Sequence, residues 1–92
     1  MPLERAIRTT VPADEAVILA PRGAPWSLSV SPGEGGTVTV AVTVSDPADD
    51  AAVWHAFDAV PLAAATLYLF SGPVSGVRIS AVDAPAVAEL MV

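Results

Sequence analysis

Cysteine is absent from this 92-residue chain, and so are lysine, asparagine and glutamine. Without cysteine there is no disulfide framework and no thiolate zinc site to supplement a small core. Without cysteine or lysine, two of the usual covalent nucleophiles are also missing. Charge is scarce too: 15% of the residues are charged, where about 25% is ordinary for a soluble chain. The basic groups are only Arg5, Arg8, Arg22 and Arg78, and the net charge is −6. That balance repels phosphate backbones, and no basic stripe interleaved with aromatics offsets it, so no nucleic-acid partner is expected. Long hydrophobic runs are lacking as well. The longest, Ala59 to Phe70, is broken by Pro61 and is too short to cross ~30 Å of hydrocarbon, so no membrane span is expected. The opening Met1 to Arg8 has no continuous apolar stretch of the signal-peptide type. The expectation is a protein that acts where it is made or leaves the cell inside something larger.

What is present is alternation. Thr37 to Val44 alternates threonine or alanine with valine, and side chains two apart share one face of a strand. Val38, Val40, Val42 and Val44 are expected inside, with Thr37, Thr39, Ala41 and Thr43 outside. Trp26-Ser27-Leu28-Ser29-Val30 has the same period, and the turn-forming Ser31-Pro32-Gly33-Glu34-Gly35-Gly36 between them suggests an antiparallel hairpin. Further strands are expected at Leu3 to Thr10, Ala16 to Ala20, Thr66 to Phe70, Val74 to Val82 and Ala86 to Val92. The nine prolines leave little room for a long helix. One helical turn fits after Asp46-Pro47, with Asp46 as the cap, a loop over 51–58 being the alternative. Residues 1–92 form one all-β domain, a small antiparallel β-sandwich or a partly open barrel of about seven short strands. Residues 1–10 are either an extended N-terminal arm or an edge strand.

Groups suited to catalysis are few. His55 is the lone histidine, and no Gly-x-Ser-x-Gly elbow supplies a serine partner; Ser75, between Val74 and Gly76, has the wrong spacing. Asp46, Asp49, Asp50 and Asp58 make the densest acidic cluster, but they do not follow a calcium-loop spacing, and helix capping already accounts for carboxylates there. Gly33-Glu34-Gly35-Gly36 lacks the Lys-Ser/Thr of a phosphate loop. The pairs Asp14-Glu15 and Asp49-Asp50 read as solvated loop carboxylates rather than a glycosidase acid and base. No catalytic residue, metal or cofactor is expected.

The large side chains point to assembly instead. Leu67-Tyr68-Leu69-Phe70 is apolar on both faces, and Ala86 to Val92 nearly so, whereas a strand of a thin sandwich has one wet face. With Leu67 and Leu69 taken as inward, Tyr68 and Phe70 become the outward anchors. Together with Leu90 and Val92 they form the expected interface of a homo-oligomer. The reverse assignment of the two faces is the alternative.

The stretch Ser71-Gly72-Pro73-Val74-Ser75-Gly76-Val77-Arg78-Ile79-Ser80 resembles small structural proteins of tailed bacteriophages. The Thr/Val strand at 37–44 and the segment Trp54 to Phe57 stand in a similar order. The resemblance implies a non-enzymatic virion protein of the capsid decoration or cement type, made in the host cytoplasm and seated on the capsid surface as a symmetric oligomer, with a homotrimer preferred. It implies the major capsid protein or another virion protein as partner, with Arg5, Ile7 and Arg8 as the capsid-contacting residues. Head fibre, collar or tail components are alternatives. So is a soluble bacterial β-sandwich module that binds carbohydrate or protein.

Overall fold

A computed structural model of the chain describes residues 6–21, 25–58 and 60–91. Eight strands follow one another: β1 Ala6–Val11, β2 Ala16–Leu19, β3 Trp26–Pro32, β4 Thr37–Thr43, β5 His55–Ala56, β6 Thr66–Phe70, β7 Gly76–Val82 and β8 Ala86–Met91. They pair antiparallel in two four-stranded sheets, the first ordered β1-β8-β3-β6 and the second β2-β7-β4-β5. The chain is therefore an all-β sandwich, and among the described residues there is no helix. The short β5 is the one strand that alternation does not reveal, because two residues are too few to display a period.

Register explains the core. In the first sheet Leu28 opposes Leu90 and Val30 opposes Ala88, and Val11 opposes Ala86. In the second, Val38 opposes Ala81 and Val40 opposes Ile79. These residues fill the space between the sheets, each 4% exposed or less. Burial on this scale contributes roughly 25 cal/mol per Å2 of apolar surface, and without disulfides it is the main stabilising term within the chain.

The expected β3–β4 hairpin does not form. Each strand buries alternate side chains, but the turn residues between them carry the chain across the sandwich, leaving β3 and β4 in opposite sheets. The β7–β8 connection crosses beside it, so β3 pairs with β8 while β4 pairs with β7. The two crossings touch closely: a Cβ at Gly36 would lie 2.7 Å from the Ala84 Cβ and 2.9 Å from the Val82 carbonyl oxygen, and one at Gly33 would collide with the Pro85 carbonyl. Gly36 N–H donates to the Gly33 carbonyl at 2.9 Å, and Gly35 has φ +81°, the left-handed position that a type II turn assigns to glycine.

The outer face of the second sheet departs from simple alternation. Val38 and Val40 are buried as expected, but Val44 lies beyond the strand and is 76% exposed, whereas Ala41 and Thr43 are buried. The segment 44–54 folds over them. Gly76 opposes Thr43, and a Cβ on it would stand 2.9 Å from the Pro47 side chain and 3.4 Å from the Trp54 ring. Arg78, opposite Ala41, sets its guanidinium 4.6 Å from the Trp54 ring centroid, a cation–π contact. No helical turn follows Asp46. Its carboxylate accepts from Ala48 N–H at 3.0 Å, Asp49 repeats the arrangement with Ala51 at 2.9 Å, and two consecutive turns result. Aspartate side chains close such turns by competing with the helical backbone pattern.

Candidate functional site

At the end of the sandwich away from the two crossings, β6 closes the first sheet beside β3. Trp26 opposes Phe70 and Leu28 opposes Tyr68. That pairing ties Tyr68 and Phe70 to the face of β3 that supplies the core, and both pack against it half-buried. The expectation that they point outward is thus corrected. It is Leu67 and Leu69 that face solvent, at 62% and 76% exposure. The rings form a continuous cluster: Trp26 stacks on Phe70 at 3.8 Å between centroids, and the more exposed Phe57 lies 4.9 Å from Phe70, tilted, and 5.2 Å from Tyr68. Trp26 Nε1 donates to the Gly72 carbonyl at 3.2 Å. The Tyr68 hydroxyl donates to the Asp58 carboxylate. Desolvation first, then that hydrogen bond and the carboxylate's charge, push the phenol up to about 12.

Where β3 begins and β6 and β8 end lies an open groove of about 500 Å3, lined by Pro25, Trp26, Ser27, Leu69, Phe70 and Met91 among others. Its floor follows from register: Ser27 stands between Met91 and Leu69 in one cross-strand row, and the short serine leaves a trough between two large apolar neighbours. Met91 is 44% exposed. Charged residues are missing from the sequence here over a long span, 59–77, and Asp58 just before it is the carboxylate that reaches β6.

The other residues anticipated from the sequence lie elsewhere. Leu90 is 1% exposed, in the core opposite Leu28, and so presents nothing at a surface; β8 is a central strand, and its outward set is Val87, Glu89 and Met91. Ile7 and Arg8 lie exposed on β1, with Arg8 opposite Glu89. Residues 6–11 thus form an edge strand of the body rather than a free arm. Arg5 and Val92 lie outside the described residues.

The potential chemical groups are dispersed. His55 is exposed on β5. The Ser75 hydroxyl bonds the carbonyl oxygens of Thr43 and Ser45, a structural clasp rather than a poised nucleophile. The carboxylates of Asp46, Asp49 and Asp58 have backbone or tyrosine donors. Among the described residues no three His, Cys, Asp or Glu side chains converge as metal ligands would. The groove and its leucine rim went unanticipated because β6 is apolar on both faces; the uncharged span 59–77 was the signal in the sequence that marked this edge.

No protein-family model matches the chain, and no curated protein sequence matches it. Among solved structures, the chain is similar to the crystal structure of Yersinia pseudotuberculosis-derived mitogen (YPM), with a TM-score of 0.50 at 10% identity, covering 95% of this chain and 83% of that one. At that identity the likeness concerns the fold alone.

Proposed function

We propose that this chain is a non-enzymatic structural protein that works by presenting sheet surfaces to other proteins, and that its setting is a tailed-phage virion, as a capsid decoration or cement protein. The observation that carries the binding role is the outer side of the first sheet at β6. There Leu69 and Met91 stand exposed at a groove of about 500 Å3 with no titratable group among its lining residues, and Leu67, also exposed, continues the apolar surface along β6. Large apolar residues grouped on a sheet suit a contact surface better than a reaction. The virion setting rests on the resemblance over residues 71–80. The likeness to a mitogen bears on architecture and lends no activity.

In this reading Arg8, exposed on edge strand β1, faces the capsid, and the free side of β1 offers main-chain groups to a strand of the partner. Virions purified from the source should carry the chain in many copies per particle. Arg8→Glu should weaken its retention in a salt wash more than Ile18→Ala on the opposite sheet does. Particles without the chain, by mass spectrometry, would refute the virion setting. Turnover in a broad panel of hydrolase and transferase substrates would refute the non-enzymatic role.

A further inference from the structure

We infer that β6 is the seat of a two-fold interface, in which Thr66–Phe70 of one copy pairs antiparallel with Thr66–Phe70 of a second copy about an axis through Tyr68. This goes beyond the proposed function, because it stands on the edge and the charge pattern whichever partner the protein serves. The sandwich has four sheet edges, at β1, β6, β2 and β5. An unpaired edge offers a row of backbone donors and acceptors to any strand that approaches, and proteins guard such rows with charges, prolines, bulges or shortness. β1 carries Arg8, β2 has four residues and β5 two. The five residues of β6 include no charge and no proline, and their pairing with β3 runs without a bulge. Among the described residues Thr66–Phe70 makes no backbone hydrogen bond beyond those to β3.

The strand is also complementary to itself. An antiparallel two-fold centred on Tyr68 sets Leu67 opposite Leu69 of the second copy, and Leu69 opposite its Leu67, on the solvent side. These are the leucines at 62% and 76% exposure. Cross-strand apolar pairs of this kind are the side-chain unit of sheet stability. On the other side Thr66 meets Phe70 of the second copy, and the two Tyr68 residues meet at the axis. Each copy has a net charge of −6, so association at a random patch brings carboxylates together. Residues 59–77 are uncharged, and the carboxylate that reaches β6, Asp58, is engaged by the Tyr68 hydroxyl of its own copy, so this edge brings less free charge to a contact than the rest of the acidic body. An isologous contact of this sort closes as a dimer, and each copy adds four strands to a continuous sheet.

The test uses the purified chain with no particle present, so it stands apart from the virion experiment. Sedimentation equilibrium at micromolar concentration should give twice 9.3 kDa. The variants L67K/L69K and L67E/L69E each change only exposed side chains, and each places like charges opposite one another across the axis; both should sediment as monomers with native circular dichroism. Mixed in equal amounts they should recover the dimer mass, because opposite charges then face each other, while Ile18→Lys on the other sheet should leave the dimer intact. Hydrogen exchange gives a second readout on the unmodified chain, with the β6 amides that point away from β3 protected. A monomer at all concentrations, a mass of three or more chains, a lysine variant that stays dimeric, a mixture of folded variants that stays monomeric, or rapid exchange of those amides would each overturn the inference.

Discussion

Replacing Asp58 by alanine should lower the ionisation midpoint of Tyr68, and the composition of the chain makes this directly measurable. Tyr68 is the one tyrosine in the sequence, so phenolate absorbance in the near ultraviolet reports it alone. In the native protein the phenol is pushed from its ordinary 10.0 up to about 12 by desolvation among the packed rings, by the hydrogen bond it donates to Asp58 and by that carboxylate's negative charge. Each of these disfavours the phenolate. Asp58→Ala removes the second and third causes and leaves the first, so its midpoint should fall below that of the native protein and remain above that of the chain unfolded in denaturant. The unfolded chain should titrate near its ordinary value, about 10.

The sign for stability follows. A phenol whose folded value is raised holds its proton more tightly when folded, so its contribution is complete below about 10 and is lost as the pH climbs through the folded value. Native stability should therefore decline between about pH 10 and 12. The variant should decline over a narrower and earlier window, having already lost at most about 1 kcal/mol at neutral pH with the exposed hydrogen bond. Circular dichroism recorded along the titration separates ionisation from alkaline unfolding. A native midpoint at 10, or identical midpoints for the native protein and Asp58→Ala while both stay folded, would refute the assignment of Asp58 as a partner of the phenol.

Three further outcomes are expected. Leu90→Ala should cost about 2–5 kcal/mol in urea unfolding because it empties a core position, whereas Met91→Ala, on the outer face, should stay within about 0.5 kcal/mol; equal costs would refute the assigned faces of β8. Gly36→Ala should cost about 1–3 kcal/mol by forcing a methyl group into the Ala84 and Val82 backbone at the crossing, and an unchanged melting temperature would show that the two crossings are not in contact. Asp83 holds φ +71° and its N–H donates to the Asp14 carboxylate at 3.0 Å. Asp83→Gly keeps that N–H and relieves the left-handed backbone, so stability should rise by about 0.5 kcal/mol, and a fall would refute the strain.

By itself the sequence determined where the strands run. Period-two alternation at Trp26–Val30 and Thr37–Val44, cut by prolines, glycines and aspartates, is a local property, and β3 and β4 appear within a residue or two of where it places them. It also determined that the chain has few groups fit for chemistry, since residue types that are absent cannot be assembled by folding. Tertiary structure alone decided which strands pair. Alternation records that one face of a strand is buried and is silent about the neighbour, so the turn before Thr37 fitted a hairpin and a crossing equally well, until packing of Gly33 and Gly36 on the β7–β8 connection selected the crossing. The faces of β6 were undecidable for a related reason. With Leu67, Tyr68, Leu69 and Phe70 all apolar, hydrophobicity carries no orientation, and it was the stacking of Phe70 on Trp26 that turned the aromatic rings inward and left the leucines outside. Thr43 completes the pattern, a polar residue on an outward face that is nonetheless fully buried, because a segment distant in pairing but near in sequence, 44–54, folds back over it.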